Sequence, residues 1–164
     1  MRKQLSLIFA GGLTLLSGAV YAVTTTQNFT VQIIIQAACT IISADNITFG
    51  TQGVLTTAVP GSAAQIKVQC TNTTNYNIGL NAGTGVGATV ANRKMTAPGG
   101  ATINYSLYKD SGFTTVWGNT ILTDTVPDTG TGVIKTYNVY GQVPAQSTPA
   151  PATYTDTITV TVTY

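Results

Sequence analysis

A protein that does acid–base chemistry near neutral pH needs side chains that move protons, and this sequence has few. It contains no His and no Glu; its acidic residues are Asp45, Asp110, Asp124, Asp128 and Asp156. The imidazole or glutamate that usually serves as general base is missing, and a serine nucleophile would have no His to activate it. Zinc sets built on His or on four Cys are ruled out as well. Asp110, Asp124 and Asp128 stand in turn-like stretches, where Asp caps backbone N–H groups, and their spacing matches no calcium loop. We expect no metal, no cofactor and no catalysis. The adjacent cations Arg93 and Lys94 could meet an anion, but such a pair is more simply solvated. Trp117, near Tyr105, Tyr108 and Tyr140 in sequence, could stack on a sugar ring; core or edge packing is the commoner use of such aromatics.

The thiols are the one remaining chemistry. Cys39 and Cys70 form a pair in a chain that carries an export signal, and that reads as one structural disulfide. A metal or redox pair does not fit a separation of 31 residues with no other ligands nearby.

The export signal lies at residues 1–22. Arg2 and Lys3 form a positive start, an apolar stretch runs from Leu5 to about Leu16, and Ser17-Gly18-Ala19-Val20-Tyr21-Ala22 supplies small residues for cleavage after Ala22. The apolar run is short for a membrane span of about 20 residues. Losing this segment removes two of the seven cations, so the formal charge of +2 becomes zero. A neutral chain with only 7% charged residues has no basic cluster for a nucleic-acid backbone. No nucleic acid and no small-molecule substrate are expected.

The rest of the chain alternates with the period of a strand. Ala64, Ile66, Val68 and Cys70 share one face; so do Tyr76, Ile78 and Leu80, and Ile103, Tyr105 and Leu107. In the last segment Tyr154, Ile158, Val160, Val162 and Tyr164 face one way, with Thr at every odd position opposite. Gly-, Pro- and Asp-rich turns separate these runs, for example Ala97-Pro98-Gly99-Gly100 and Asp128-Thr129-Gly130. Seven or eight short strands at this spacing predict an all-β sandwich, with one domain over 37–164.

Residues 23–36 carry one more strand pattern. Phe29, Val31, Ile33 and Ile35 form an apolar row, with Thr30, Gln32 and Gln36 opposite and Ile34 out of pattern. Burying such a row is worth roughly 6–12 kcal/mol before entropy costs. It is either the first strand of the chain's own sandwich or a strand given to a neighbour's sheet.

The ordered set of motifs resembles the spore-coat-protein-U-like family, which includes the pilins of archaic, Csu-type chaperone–usher pili. The matching stretches are Phe29-Thr30-Val31-Gln32-Ile33, Ala38-Cys39-Thr40-Ile41, Ile47-Thr48-Phe49-Gly50, Ile66-Lys67-Val68-Gln69-Cys70-Thr71 and Tyr76-Asn77-Ile78-Gly79-Leu80-Asn81. They continue with Arg93-Lys94-Met95, Ile103 to Asp110, Trp117-Gly118, Val139-Tyr140-Gly141 and Tyr154-Thr155-Asp156. Ala152 stands where the family often has Gly. The resemblance implies an immunoglobulin-like β-sandwich that lacks its final strand and is completed by strand donation. A periplasmic chaperone would fill the groove first, an outer-membrane usher would exchange it, and another pilin subunit's N-terminal strand would take its place. Phe29, Val31, Ile33 and Ile35 would then be the donor row, and Tyr154, Ile158, Val160, Val162 and Tyr164 would line the acceptor groove. The implied function is a structural subunit of a secreted surface pilus serving attachment and biofilm formation. A coat or envelope protein of the same fold and a monomeric carbohydrate-binding sandwich are the alternatives.

Overall fold

The computed structural model describes residues 20–164. The signal segment 1–22 therefore lies almost wholly outside the described residues. The chain divides into two units at Ile34/Ile35. Residues 20–38 form neither strand nor helix, although 27–36 has a strand's alternation. A lone strand has no partner for its backbone groups and is not stable by itself.

Among the described residues there are nine strands and no helix. They are β1 (Cys39–Ala44), β2 (Val59–Pro60), β3 (Ala64–Cys70), β4 (Asn75–Leu80), β5 (Arg93–Thr96), β6 (Thr102–Tyr108), β7 (Val126–Thr129), β8 (Ile134–Val143) and β9 (Val160–Thr163). One antiparallel sheet has the order β1-β3-β8-β6-β5, with β2 also on β8; the other has the order β7-β4-β9. The two form a β-sandwich, as the alternation predicts, of the immunoglobulin-like kind that the resemblance implies.

The inward rows are the apolar ones. Ala64, Ile66, Val68 and Cys70 of β3 are all buried, as are Tyr76, Ile78 and Leu80 of β4 and Tyr105 and Leu107 of β6. Their partners in alternation carry Gln, Lys, Asn and Ser to the outside, which is how an antiparallel sheet with one wet face is built.

Trp117 takes its commoner role as a packing residue, while the expectation of a solvated Arg93 is overturned. Trp117 is 1% exposed and donates its indole N–H to the carbonyl of Ile78 at 2.9 Å. Tyr105 is buried as well, so neither ring can stack on a sugar. Arg93 is not a solvated cation; it is fully buried. Its guanidinium donates to the carbonyls of Asn81, Val90, Leu80 and Trp117, at 2.7–3.0 Å. Planar donors in a fixed fork can serve several carbonyls at once, which a Lys cannot do.

Asp110 and Asp124 do cap turns, whereas Asp128 lies within β7 rather than in a turn. Asp110 accepts from the N–H groups of Gly112, Thr114 and Thr115, and Asp124 from that of Thr120. Asp128 has a further task. It pairs with Lys135 at 2.8 Å and accepts from the Tyr137 hydroxyl, which also contacts that of Tyr76. This cluster ties β8 of one sheet to β4 and β7 of the other. Partial burial disfavours the Asp128 carboxylate, but donors from Lys135, Tyr137 and the Thr129 N–H outweigh it and hold the carboxyl below its ordinary range.

Cys39 and Cys70 are bonded, with S–S 2.04 Å. They are direct cross-strand partners, so the bond fastens β1 to β3 at the start of the sandwich. Closing a loop of this length restricts the unfolded chain by about 3–4 kcal/mol. The Cys39→Ser/Cys70→Ser double variant is expected to lose stability by that amount in urea unfolding against the oxidised protein. A midpoint shift corresponding to less than about 1 kcal/mol would show that the bond does not constrain the chain in this way.

Candidate functional site

Two of the sheet edges differ from the rest. Unpaired strand edges are usually blunted by Pro or charge. β2 carries Pro60, β7 carries Pro127 and Asp128, and β5 carries Arg93 and Lys94. β1, at one end of its sheet, and β9, at one end of the other, contain neither Pro nor charge.

The core is open beside these two edges. A cleft of about 510 Å³ runs into the sandwich there. Its floor includes Ile66, Leu80, Leu107 and Val139, and its walls include Ile47 and Phe49 on one side and Tyr154, Ile158 and Val160 on the other. Ile47 and Phe49 are brought close because Gly61 and Gly141 lie beneath them; a Cβ on Gly61 would fall 2.5 Å from the Ile47 Cγ2. The β1 edge itself is only partly covered, as Ile41 shows. It faces inward with Val68, its cross-strand partner, yet Val68 is fully buried and Ile41 is 39% exposed.

The final segment supplies one wall, but not as a single strand. Regular pairing with β4 is confined to β9. Upstream, Thr155 pairs with Thr96 of β5, in the other sheet. Residues 155–159 thus cross from one sheet to the other. Of the expected groove residues, Tyr154, Ile158 and Val160 line the cleft, Val162 packs on the core beyond it, and Tyr164 is exposed.

Asp156 holds the crossing. Its Oδ2 accepts from the Tyr105 hydroxyl at 2.7 Å, and its Oδ1 from the Thr84 N–H and hydroxyl at 2.7 and 2.8 Å. Burial, and then the hydrogen bond to this carboxylate, push the Tyr105 phenol well above its ordinary pKa.

The row Phe29, Val31, Ile33 and Ile35 is exposed, from 86% at Phe29 to 71% at Ile35. No charged residue interrupts the sequence from Val23 to Ala44. Exposed apolar rows of this length are interaction surfaces or aggregation hazards.

A family model described as the Spore Coat Protein U domain matches residues 25–161. The chain belongs to that family. The match to this Spore Coat Protein U domain takes in the row Phe29 to Ile35, both cysteines and the first half of β9. Among solved structures, a chain in the crystal structure of the CsuC–CsuE chaperone–tip adhesion subunit pre-assembly complex, from the archaic chaperone–usher Csu pili of Acinetobacter baumannii, has a similar fold. The likeness covers 79% of this chain at a TM-score of 0.57 and 22% identity, and 40% of that chain. The Spore Coat Protein U domain therefore spans less than half the length of that relative. Comparison with curated proteins finds no match.

Sequence reading finds the apolar wall residues of the last segment but misses Asp156, Tyr105 and the Ile47/Phe49 wall as parts of one site. Alternation marks which face a residue takes. It does not mark which strands become edges, and so it cannot show where the core stays open.

Proposed function

We propose that this Spore Coat Protein U domain is a structural subunit of a secreted surface pilus, built by the chaperone–usher route. The N-terminal row Phe29, Val31, Ile33 and Ile35 of one subunit fills the cleft of the next, pairing along β9. A periplasmic chaperone occupies the cleft before that, and an outer-membrane usher exchanges it. The fibre serves attachment and biofilm formation at the cell surface.

One observation carries this reading: a cleft whose floor of Ile66, Leu80, Leu107 and Val139 is apolar, beside two unblunted edges, in a chain that also has an exposed, charge-free apolar row. Strand addition would satisfy both needs at once. The added backbone would pair the free edges, and alternate side chains would fill the cleft. The likeness of the fold to a chain of a chaperone–pilus subunit complex supports the same reading.

Co-expression tests it. Alone, the protein is expected to be degraded or aggregated in the periplasm; with its cognate chaperone it is expected to form a soluble complex. Released subunits are expected to run as a heat-labile ladder on unboiled gels. A stable, monodisperse monomer from expression alone would overturn the proposal.

A further inference from the structure

The outer wall of the cleft is held by a side chain rather than by a sheet. Thr155 is fixed to β5 by two backbone hydrogen bonds with Thr96, at 2.8 and 3.2 Å. Thr159 is fixed beside β4: its carbonyl accepts from the Asn81 N–H at 3.2 Å, and its own N–H donates to the Asn81 Oδ1 at 2.9 Å. Between these two anchors lie Asp156, Thr157 and Ile158, and Ile158 points into the cleft.

The Asp156 carboxylate fixes this span. Four donors reach it: the Tyr105 hydroxyl of β6, the N–H and hydroxyl of Thr84 in the loop after β4, and the N–H of Thr157 at 2.8 Å. The loop is shaped around the carboxylate. Gly83 has φ +83°, and a Cβ there would fall 1.9 Å from the Asp156 Oδ2. One carboxylate thus ties together both sheets and the crossing segment.

The apolar floor of the cleft and the Ile158 side chain facing it favour closure, because water against apolar surface costs free energy and interiors tend to close packing. The span 156–158 has no sheet hydrogen bonds of its own between its anchors. Charge-assisted hydrogen bonds are the strong and directional ones, and here they set the distance between the wall and the β6 floor.

We propose that Asp156 is a positioning residue that props the cleft open for an incoming strand. It acts through Ile158, whose placement between the two anchors it sets. The inference rests on the strand-acceptor reading above. Its signature is kinetic: the prop speeds entry of a strand, whereas the contacts that hold the strand afterwards are the apolar ones.

The test uses the intact chain, kept dilute, and a fluorescent peptide with the sequence of residues 24–36, followed by anisotropy. Asp156→Ala is expected to take up the peptide about tenfold more slowly, with release changed by less than about threefold. Asp156→Asn keeps an acceptor oxygen for Thr84 and is expected to recover most of the uptake rate. Tyr105→Phe removes one donor only, so an intermediate rate is expected, and it carries the test if Asp156→Ala does not fold. A wild-type chain that takes up no peptide overturns the strand-acceptor reading and this inference with it. Wild-type uptake matched within about twofold by Asp156→Ala or, failing that variant, by Tyr105→Phe overturns this inference alone. Equal effects on uptake and release would point to a general structural role and overturn it too.

Discussion

Ile33→Asp is expected to abolish chain extension while leaving the Ile35–Tyr164 sandwich folded. Ile33 is 81% exposed, so the variant removes no core contact from its own subunit. In the proposed fibre it is the third of four side chains in the donor row. Losing its burial forfeits about 1.5–3 kcal/mol. The introduced carboxylate adds more, since an unpaired charge in an apolar site costs several kcal/mol or stays out of the site altogether. Together these remove a large part of the roughly 6–12 kcal/mol available from the whole row. On unboiled gels the ladder is expected to collapse to single subunits.

Ile34→Asp is the control that makes this result specific. Ile34 is as apolar and nearly as exposed, at 73%, but in an extended strand its side chain takes the opposite face. The proposed fibre leaves that face outside the cleft, and extension is expected to persist. If both variants ladder like the wild type, or if both fail equally, donation of a faced strand is wrong. The thermal unfolding midpoint of each variant's sandwich checks that neither change acts by unfolding the subunit.

Much of this fold can be read from alternation. The rows Ala64–Cys70, Tyr76–Leu80 and Ile103–Leu107 lie inside as their spacing predicts, because a period of two leaves an antiparallel strand no other way to bury its apolar half. The Cys39–Cys70 bond is legible on other grounds, an even cysteine count behind an export signal. The cleft is less legible. Its opening depends on β1 and β9 being edges of different sheets, which is a matter of strand order and not of any one strand's pattern. The 155–159 crossing is hidden for a similar reason. Its Thr residues keep a strand's alternation, and the one break, Asp156 on the apolar face between Tyr154 and Ile158, does not say where the carboxylate goes; the departure is set by Asp156 meeting Tyr105 and Thr84, 51 and 72 residues away.

Arg93 is the clearest case of residue type misleading. An adjacent Arg-Lys pair suggests a wet surface, and half of that holds: Lys94 is partly exposed while Arg93 is sealed. The pair falls on a strand, where neighbours take opposite faces, so one of two adjacent cations must turn inward if the strand has a buried side. What makes this tolerable is the carbonyl cluster. β4 ends at Leu80, the following loop returns at Val90, and the chain passes again at Trp117. These segments leave acceptors without sheet partners, and the guanidinium supplies donors to all of them. Burial works against the charge and lowers its pKa, while Tyr105, Asp156 and Asp124 nearby oppose that shift.

Arg93→Ala should therefore be among the most damaging single changes in the molecule. It leaves four carbonyls unserved and opens a cavity the size of the lost side chain. An unsatisfied buried polar group costs about 1–3 kcal/mol, and large-to-small core changes add about 2–5 kcal/mol. Against a typical domain stability of about 5–15 kcal/mol, the variant is expected to be recovered unfolded or not at all. Arg93→Met separates the two causes. It fills most of the volume but serves no carbonyl, so whatever loss remains belongs to the hydrogen bonds. Arg93→Lys keeps the charge but offers a point donor where a planar fork is needed, and it is expected to fall between Met and the wild type in urea unfolding. A wild-type midpoint in Arg93→Ala would mean that the carbonyls find water or new partners. The consequence would also reach the cleft. Leu80, whose carbonyl Arg93 holds, forms part of the cleft floor, and Tyr105, its cross-strand partner, carries the Asp156 prop. A partly folded Arg93→Lys protein is therefore expected to accept the residue 24–36 peptide more slowly than its loss of global stability alone accounts for.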